Sequence, residues 1–367
     1  MFQNPLSEEI YTFRKKRKKK DVRDEFFRDQ TIIIHSMAFR RLRHKTQVFF
    51  EPESDHICVR LEHVLHVSTI AASICKGLNL NVELAEAIAL GHDLGHSPFG
   101  HAGESALNNL ILDEGGFMHE IHSLRVVDKL AKDGEGLNLT YAVRDGIVSH
   151  CGESFEQYLE PAKEYKDLEK LTKRNTLPLT NEGCVVRMSD KIAYLGRDIE
   201  DALAARLIKK SDIPEKIKKG LGSTNGEIIS KLVDDIILTS RKTGKIGFSD
   251  KYYELMVQLK DFNYKYIYAH KIIQNYIKFC QRNIKLLFEH YIELFDKNKF
   301  EIKKYLMDEN SANIYFGKYL EKIHKFYIKE KASNKRIVID YIAGMSDNFA
   351  HKCVHFITFP KAIHFYF

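Results

Sequence analysis

The stretch LGHDLGHSPFGHAGE, residues 90–104, holds His92, Asp93, His96, His101 and Glu104. An imidazole or carboxylate taken out of water must find a partner, so groups this dense are expected to share a metal ion or a proton. His92 and Asp93 are adjacent and would point about 100° apart on an ideal helix. They converge only if the helix ends beside them, and Gly95 supplies that end. His63, in the apolar-periodic stretch RLEHVLHVSTIAASICKGLNL, is expected to approach from a neighbouring helix. Asp190 completes the set, in the apolar context VVRMSDKIAYLG, where it is read at the head of an amphipathic helix beside Lys191. Two imidazoles and two carboxylates suit a divalent ion of the Mn, Fe, Mg or Zn type, with positions open to water and phosphate oxygens.

The elements that must carry these groups read as helical nearly throughout, because prolines are few and apolar residues recur three and four apart. Leu61, Val64, Leu65, Thr69, Ala72 and Leu78 mark one helix face, and Leu84, Ala87, Ile88 and Leu94 mark another. A long helix follows the loop ending LPLT, and the aromatic, basic stretch Asp261 to Phe295 reads as a separate helical lobe. Turn residues interrupt the pattern at 217–227 and 243–251. A chain of 367 residues with 44% hydrophobic content can bury a substantial core, which excludes global disorder. The net charge of +7 favours anionic partners such as nucleotides or nucleic acid without choosing among them. The run RKKRKKK, 14–20, is read as a solvated face, with phosphate or nucleic-acid contact as the alternative. Six cysteines without a CxxC pair suggest neither a disulfide framework nor a thiolate zinc site. That usage, with no signal-like leader and no apolar run of about 18 to 20 residues, predicts a soluble cytoplasmic protein away from membranes.

His63, the pair His92-Asp93 and Asp190 follow the H…HD…D order of the HD-domain metal-dependent phosphohydrolases, which this chain resembles. Longer stretches are similar to the deoxyguanosine triphosphate triphosphohydrolase (dGTPase) family: AFRRLRHKTQVF (38–49), RLEH (60–63), AIALGHDLGHSPFGHAGE (87–104), SLRVV (123–127), DKIAY (190–194) and DYIAGMSD (340–347). The resemblance implies an all-α fold, with an N-terminal helical segment at 1–59, an HD-domain core at 60–199 and a C-terminal helical lobe at 200–367. It implies hydrolysis of a deoxynucleoside triphosphate (dNTP) to deoxynucleoside and inorganic triphosphate, by attack of a metal-activated water on the α-phosphorus. The chain departs from the family at Cys58-Val59, where Arg-Thr is common, at Glu62, where threonine is usual, and at Glu120, where many relatives carry asparagine.

Carried over residue by residue, the resemblance makes His63, His92, Asp93 and Asp190 metal ligands, His101 the general acid and Glu104 its orienting carboxylate. His96 and His119 then line the phosphate path, Arg60 and Lys191 bind phosphate oxygens, and Gln47, Tyr194 and Asp198 recognise the sugar. The spacings agree, since His101 and Glu104 are i, i+3 and Tyr194 and Asp198 are i, i+4 on a helix. Plainer readings stand beside them: Glu104 as a helix-start acid, Lys191 as a first-turn surface lysine, Tyr194 as core. The family also implies homo-oligomers, often hexamers; a dNTP effector at a second site and single-stranded nucleic acid are further candidate partners. Two other functions fit some of the residues. One is an HD phosphohydrolase of nucleoside monophosphates or signalling nucleotides; the other is a nucleic-acid-binding regulator with a decayed HD site.

Overall fold

Helices begin where a polar side chain accepts a hydrogen bond from an N–H of the first turn. Asp24 takes Phe27 N–H, Asn81 takes Leu84 N–H, Thr180 takes Gly183 N–H, and Thr224 forms a capping box with Glu227. The computed structural model describes residues 2–19, 21–47, 58–152, 155–172, 174 and 176–359. Its principal helices are α1 (Glu25–Ile34), α2 (Arg60–Leu78), α3 (Val82–Gly91), α4 (Gly100–Leu110), α5 (His119–Arg125), α6 (Tyr141–Ser149) and α7 (Asn181–Ala204). They continue with α8 (Asn225–Thr243), α9 (Asp250–Asn263), α10 (Lys271–Asn298), α11 (Ser311–Glu330), α12 (Asn334–Ala343) and α13 (Asp347–Thr358). The fold is all-α. Among the described residues the only sheet is a two-stranded antiparallel one, β1 (Tyr158–Leu159) on β2 (Ile246–Gly247), with Tyr158 opposite Gly247. No described helix is long and apolar enough to cross a membrane.

Two hydrophobic cores form. The first gathers side chains from α1 to α3 and from α6 to α9; the second gathers α4 and α10 to α13. The stretch from Asp261 to Phe295 is therefore not a lobe apart: Phe262, Ile267 and Ile273 belong to the first core, and Cys280 to Phe295 to the second. The apolar face read on α2 is also corrected. Leu65 is 46% exposed, Thr69 is exposed and Leu61 and Ala72 only half-buried, while Val67, Ile70, Ala71 and Ile74 are buried. Helix α2 packs against α3, α7 and α8 at once, so contact on several sides, rather than one stripe, decides what is covered. Helix α3 is buried from Leu84 to Gly91 at every position but Glu86.

The turn after α3 is held by close contact. A Cβ on Gly95 would meet Ser123 N at 2.1 Å, so only glycine lets this turn lie against α5, where Gly95 N–H donates to Ser123 Oγ at 2.9 Å. Phe99 sits in the left-handed region, at φ 64°, and its N–H donates to Asp347 Oδ1 at 2.9 Å. The other oxygen of Asp347 takes Thr46 N–H and Thr46 Oγ1–H at 3.0 and 2.7 Å. One carboxylate at the start of α13 thus ties the histidine-rich loop to the segment preceding α2. The basic run is partly structural. Arg14, its side chain 5% exposed, pairs with Glu25 and with the fully buried Asp29, and Lys15 pairs with Glu169 and Asp128. The solvated-face reading fails at Arg14, because the fully buried Asp29 stands opposite it, while Lys15 stays exposed; Lys20 lies outside the described residues.

Candidate active site

Helix α3 ends at Gly91, and the chain turns through His92 and Asp93. His92 Nδ1–H donates to Ala89 O at 2.6 Å, which leaves the lone pair on Nε2. That atom is buried and, among the described residues, has no hydrogen-bond partner. Around it lie Asp93 Oδ1 at 3.8 Å and Asp190 Oδ1 at 3.9 Å, and His63 Nε2 is 2.9 Å from Asp190 Oδ1. Donors bonded to one ion at about 2.0 to 2.2 Å are about 3 to 4 Å apart, so His63, His92 and Asp190, with the orphaned nitrogen, fit a divalent cation, whereas Asp93 groups with His92 and His150. Burial pushes His92 down to about 4, which keeps it neutral for ligation. Burial acts to raise Asp190 and Asp93, but the His63 hydrogen bond and neighbouring imidazoles in the first case, and Arg60 in the second, outweigh it and hold both carboxyls below their usual range. Asp190 stands mid-helix in α7, which begins at Asn181. The helix-head placement is therefore corrected: Thr180, more than two turns earlier in the chain, is the residue that caps this helix.

Arg60, at the start of α2, forms an ion pair with Asp93. Its Nε and Nη2 are buried and, among the described residues, without hydrogen-bond partners, as is His96 Nε2. His96 stacks on His119 with ring centroids 4.6 Å apart. Glu104, on the first turns of α4, is no surface acid. Its Oε2 accepts from His101 Nδ1 at 3.2 Å and His119 Nδ1 at 3.0 Å, and its Oε1 from His119 N–H at 3.1 Å and Arg174 Nη2 at 2.6 Å. Burial would raise its carboxyl, but His119 and these hydrogen bonds hold it far below the usual range. His101 itself is 80% exposed. The imidazoles make a continuous array, with centroid separations of 5.6 Å for His63 and His92, 4.8 Å for His92 and His150, 5.3 Å for His150 and His119, and 5.4 Å for His96 and His101.

These groups open onto one cavity of about 610 Å³, within the roughly 300 to 1,000 Å³ of small-molecule sites. Every candidate residue from the sequence lines it except His92 and Glu104, which lie just behind its wall. Tyr194 and Asp198 share the α7 face with Asp190 and Lys191. Burial pushes the Asp198 carboxyl up to about 7, and its Oδ2 accepts from Tyr268 OH. Lys191 is buried and paired with Glu156, so the surface-lysine reading is withdrawn. Gln47 reaches the cavity with a buried Oε1 that has no hydrogen-bond partner among the described residues; Val48 and Phe49 of the same motif lie outside them.

Some site residues escaped the sequence reading. His150 and Cys151 follow α6, and Cys151 Sγ lies 3.2 Å from both His119 Nε2 and His150 Nε2. Burial acts to raise the Cys151 thiol, but the two imidazoles outweigh it and bring it down to about 7. The signal was present: VRDGIVSHCG, like AIALGHDLG, is an apolar helix ending in histidine. Each histidine bonds through Nδ1 to the carbonyl three residues back, Ile147 O for His150 and Ala89 O for His92. Arg174 and Glu156 come from loops without periodicity. Lys260, Tyr264 and Tyr268 close the cavity from the far side, contributed by the end of α9 and the stretch linking it to α10. Glu62, one of the departures, accepts from Val59 N–H at 3.0 Å and caps α2, and Glu120 pairs with Arg174.

Comparison with known proteins identifies the family. The HD domain family matches residues 60–195 and the phosphohydrolase-associated domain residues 246–355. A deoxyguanosinetriphosphate triphosphohydrolase-like protein of Caldanaerobacter subterraneus subsp. tengcongensis is 39% identical over 90% of this chain and 84% of its own length. Proteins of the same description from Clostridium tetani and Desulfatibacillum aliphaticivorans are 37% and 35% identical, over 94% and 92% of this chain and 88% and 89% of theirs. With the HD order of residue types, an all-α frame and relatives of one description along nearly its whole length, the chain belongs to the deoxyguanosinetriphosphate triphosphohydrolase-like family of HD-domain phosphohydrolases.

Proposed function

We propose that this protein hydrolyses a deoxynucleoside triphosphate to the deoxynucleoside and inorganic triphosphate. The observation that carries the reading is the unbroken imidazole array on one cavity, with a cation-type donor set at one end and the His101–Glu104 pair at the other. The description of the relatives supports the substrate class. His63, His92, Asp93 and Asp190 would hold a divalent cation, which when bound offsets phosphate charge and acidifies water. Arg60 donates to phosphate oxygens through Nε and Nη2, which have no partner among the described residues, a bidentate match for its planar head. His96 and His119 line the phosphate path, and Lys191 joins them by exchanging Glu156 for phosphate. As the bond from the α-phosphorus to the 5′-oxygen breaks and the water oxygen takes its place, the leaving oxygen takes a proton from His101. Glu104 accepts from Nδ1 of that ring and so turns Nε2 outward.

At the sugar, Tyr194 covers the 2′ carbon and leaves no room for a hydroxyl, Asp198 meets the 3′-hydroxyl with Oδ1, and Gln47 supplies Oε1, which has no partner among the described residues. The test is direct. Purified protein is incubated with each dNTP, singly and mixed, and with ribonucleotides, in Mg or Mn, and the products are separated by ion exchange. Inorganic triphosphate with deoxynucleoside is the expected pair. Pyrophosphate or monophosphate as the product would instead favour the other HD nucleotide chemistries. Comparable kcat/KM for GTP and dGTP would remove the role given to Tyr194.

A further inference from the structure

Cys151, His119 and His150 form a trio that the reaction above does not use as a unit. Sγ lies 3.2 Å from each Nε2, and the two Nε2 atoms lie 3.3 Å apart. Both rings are held by their other nitrogen: His119 Nδ1–H donates to Glu104 Oε2 at 3.0 Å, and His150 Nδ1–H to Ile147 O at 2.7 Å. Each Nε2 therefore faces the sulfur and the Nε2 of the other ring. A carboxylate or a carbonyl behind each imidazole is also the arrangement that orients histidine ligands on metals.

We infer that His119, His150 and Cys151 form a second cation site, thiolate-bearing and of zinc class, beside the donor set of His63, His92 and Asp190. Around a tetrahedral zinc, with bonds of about 2.0 to 2.1 Å to nitrogen and about 2.3 Å to sulfur, neighbouring donors stand roughly 3.3 to 3.6 Å apart. The nitrogen pair, 3.3 Å apart, lies at the short edge of that range and the two sulfur separations of 3.2 Å just below it, so a small outward shift of sulfur completes the geometry. A thiolate selects softer ions than the carboxylate-rich set beside it. All three residues line the cavity, which gives an ion its route in and solvent for the remaining position. The site is independent of the nucleotide chemistry: it requires only that the three donors bind.

Cobalt(II) is the probe, because a thiolate–cobalt bond gives a charge-transfer absorption in the near ultraviolet that nitrogen and oxygen ligands lack. Metal-free full-length protein is titrated with cobalt, following both the absorption and the bound metal by elemental analysis. The wild-type protein should develop the band, and zinc should abolish it. Cys151→Ser should lose the band together with one bound cobalt per chain. His63→Ala should lower the bound cobalt but retain the band. No band in the wild-type protein, where folding is not in question, overturns the inference and leaves the trio as a proton-sharing cluster. So does a band that survives Cys151→Ser, which would assign it to another cysteine. A band lost in His63→Ala overturns it too, since the thiolate would then belong to the first cation set.

Discussion

Removing His101 and altering Glu104 should give the same catalytic defect with different effects on stability. His101 is 80% exposed and bonds to Glu104 at 3.2 Å. His101→Ala should therefore change folding stability by no more than about 0.5 kcal/mol, as surface substitutions do. Loss of a general acid costs about 10² to 10⁴ in rate, equivalent to roughly 2.7 to 5.4 kcal/mol of barrier. Metal content and dNTP binding should persist. Glu104→Gln removes the same proton-donating pair but also presents an amide N–H₂ to donors on His101 and His119, beside an oxygen shared with Arg174. A hydrogen bond to a charged group is worth about 1.5 to 3 kcal/mol, so this variant should unfold roughly 3 kcal/mol more easily in urea while showing a similar fall in kcat. The double variant should turn over within about tenfold of the slower single one, because residues acting as a unit are not additive. The assay is triphosphate release at saturating metal and dNTP, beside urea unfolding of the same samples. Near wild-type kcat in His101→Ala, or losses that multiply in the double variant, would refute the assignment and pass proton donation to His119.

Other outcomes follow from the same geometry. Asp190→Ala, which removes an oxygen 2.9 Å from His63 Nε2, should lower both bound metal and turnover; unchanged metal content by elemental analysis rejects Asp190 as a ligand. Burial raises the Asp198 carboxyl from 3.8 to about 7. The stability its protonated form contributes is thus complete below about pH 4 and is lost as pH rises through 7. Asp198→Asn should then raise Tm more at pH 8 than at pH 4, and equal gains at both would contradict this. Neutralising Lys15, Lys16, Lys18 and Lys19 together should cost about 1 kcal/mol or less, because Lys15 is one-third exposed where it meets Glu169 and Asp128. Arg14→Ala should cost about 3 to 5 kcal/mol, since it leaves the fully buried Asp29 with only Thr140 as donor and no opposite charge, and urea unfolding that ranks the two changes the other way would refute the distinction.

What the sequence determined by itself is local. Caps such as Thr180 and Asn81, helical periodicity and the scarcity of proline specify where helices run, since those signals act within a turn or two of chain. The order His63, His92-Asp93, Asp190 and the i, i+3 pair His101 and Glu104 are equally local, and their resemblance to a known pattern made the candidate site legible. The tertiary structure decided what packing alone can decide. Which face of α2 is buried depends on three helices closing around it, so Leu65 is exposed although its spacing reads as core. Lys191 is buried because Glu156, thirty-five positions earlier in a loop, reaches it. Cys151 has His150 beside it in the chain, but it gains His119 because α5 and α6 pack against each other, a contact that no cysteine spacing encodes. Even Asp198 has its carboxyl raised by burial against the opposing hydrogen bond of Tyr268, which comes from seventy residues away. Spacing along a chain records neighbours on one helix; the partners that set charge, tautomer and access arrive from other helices, and only the packed core brings them within reach.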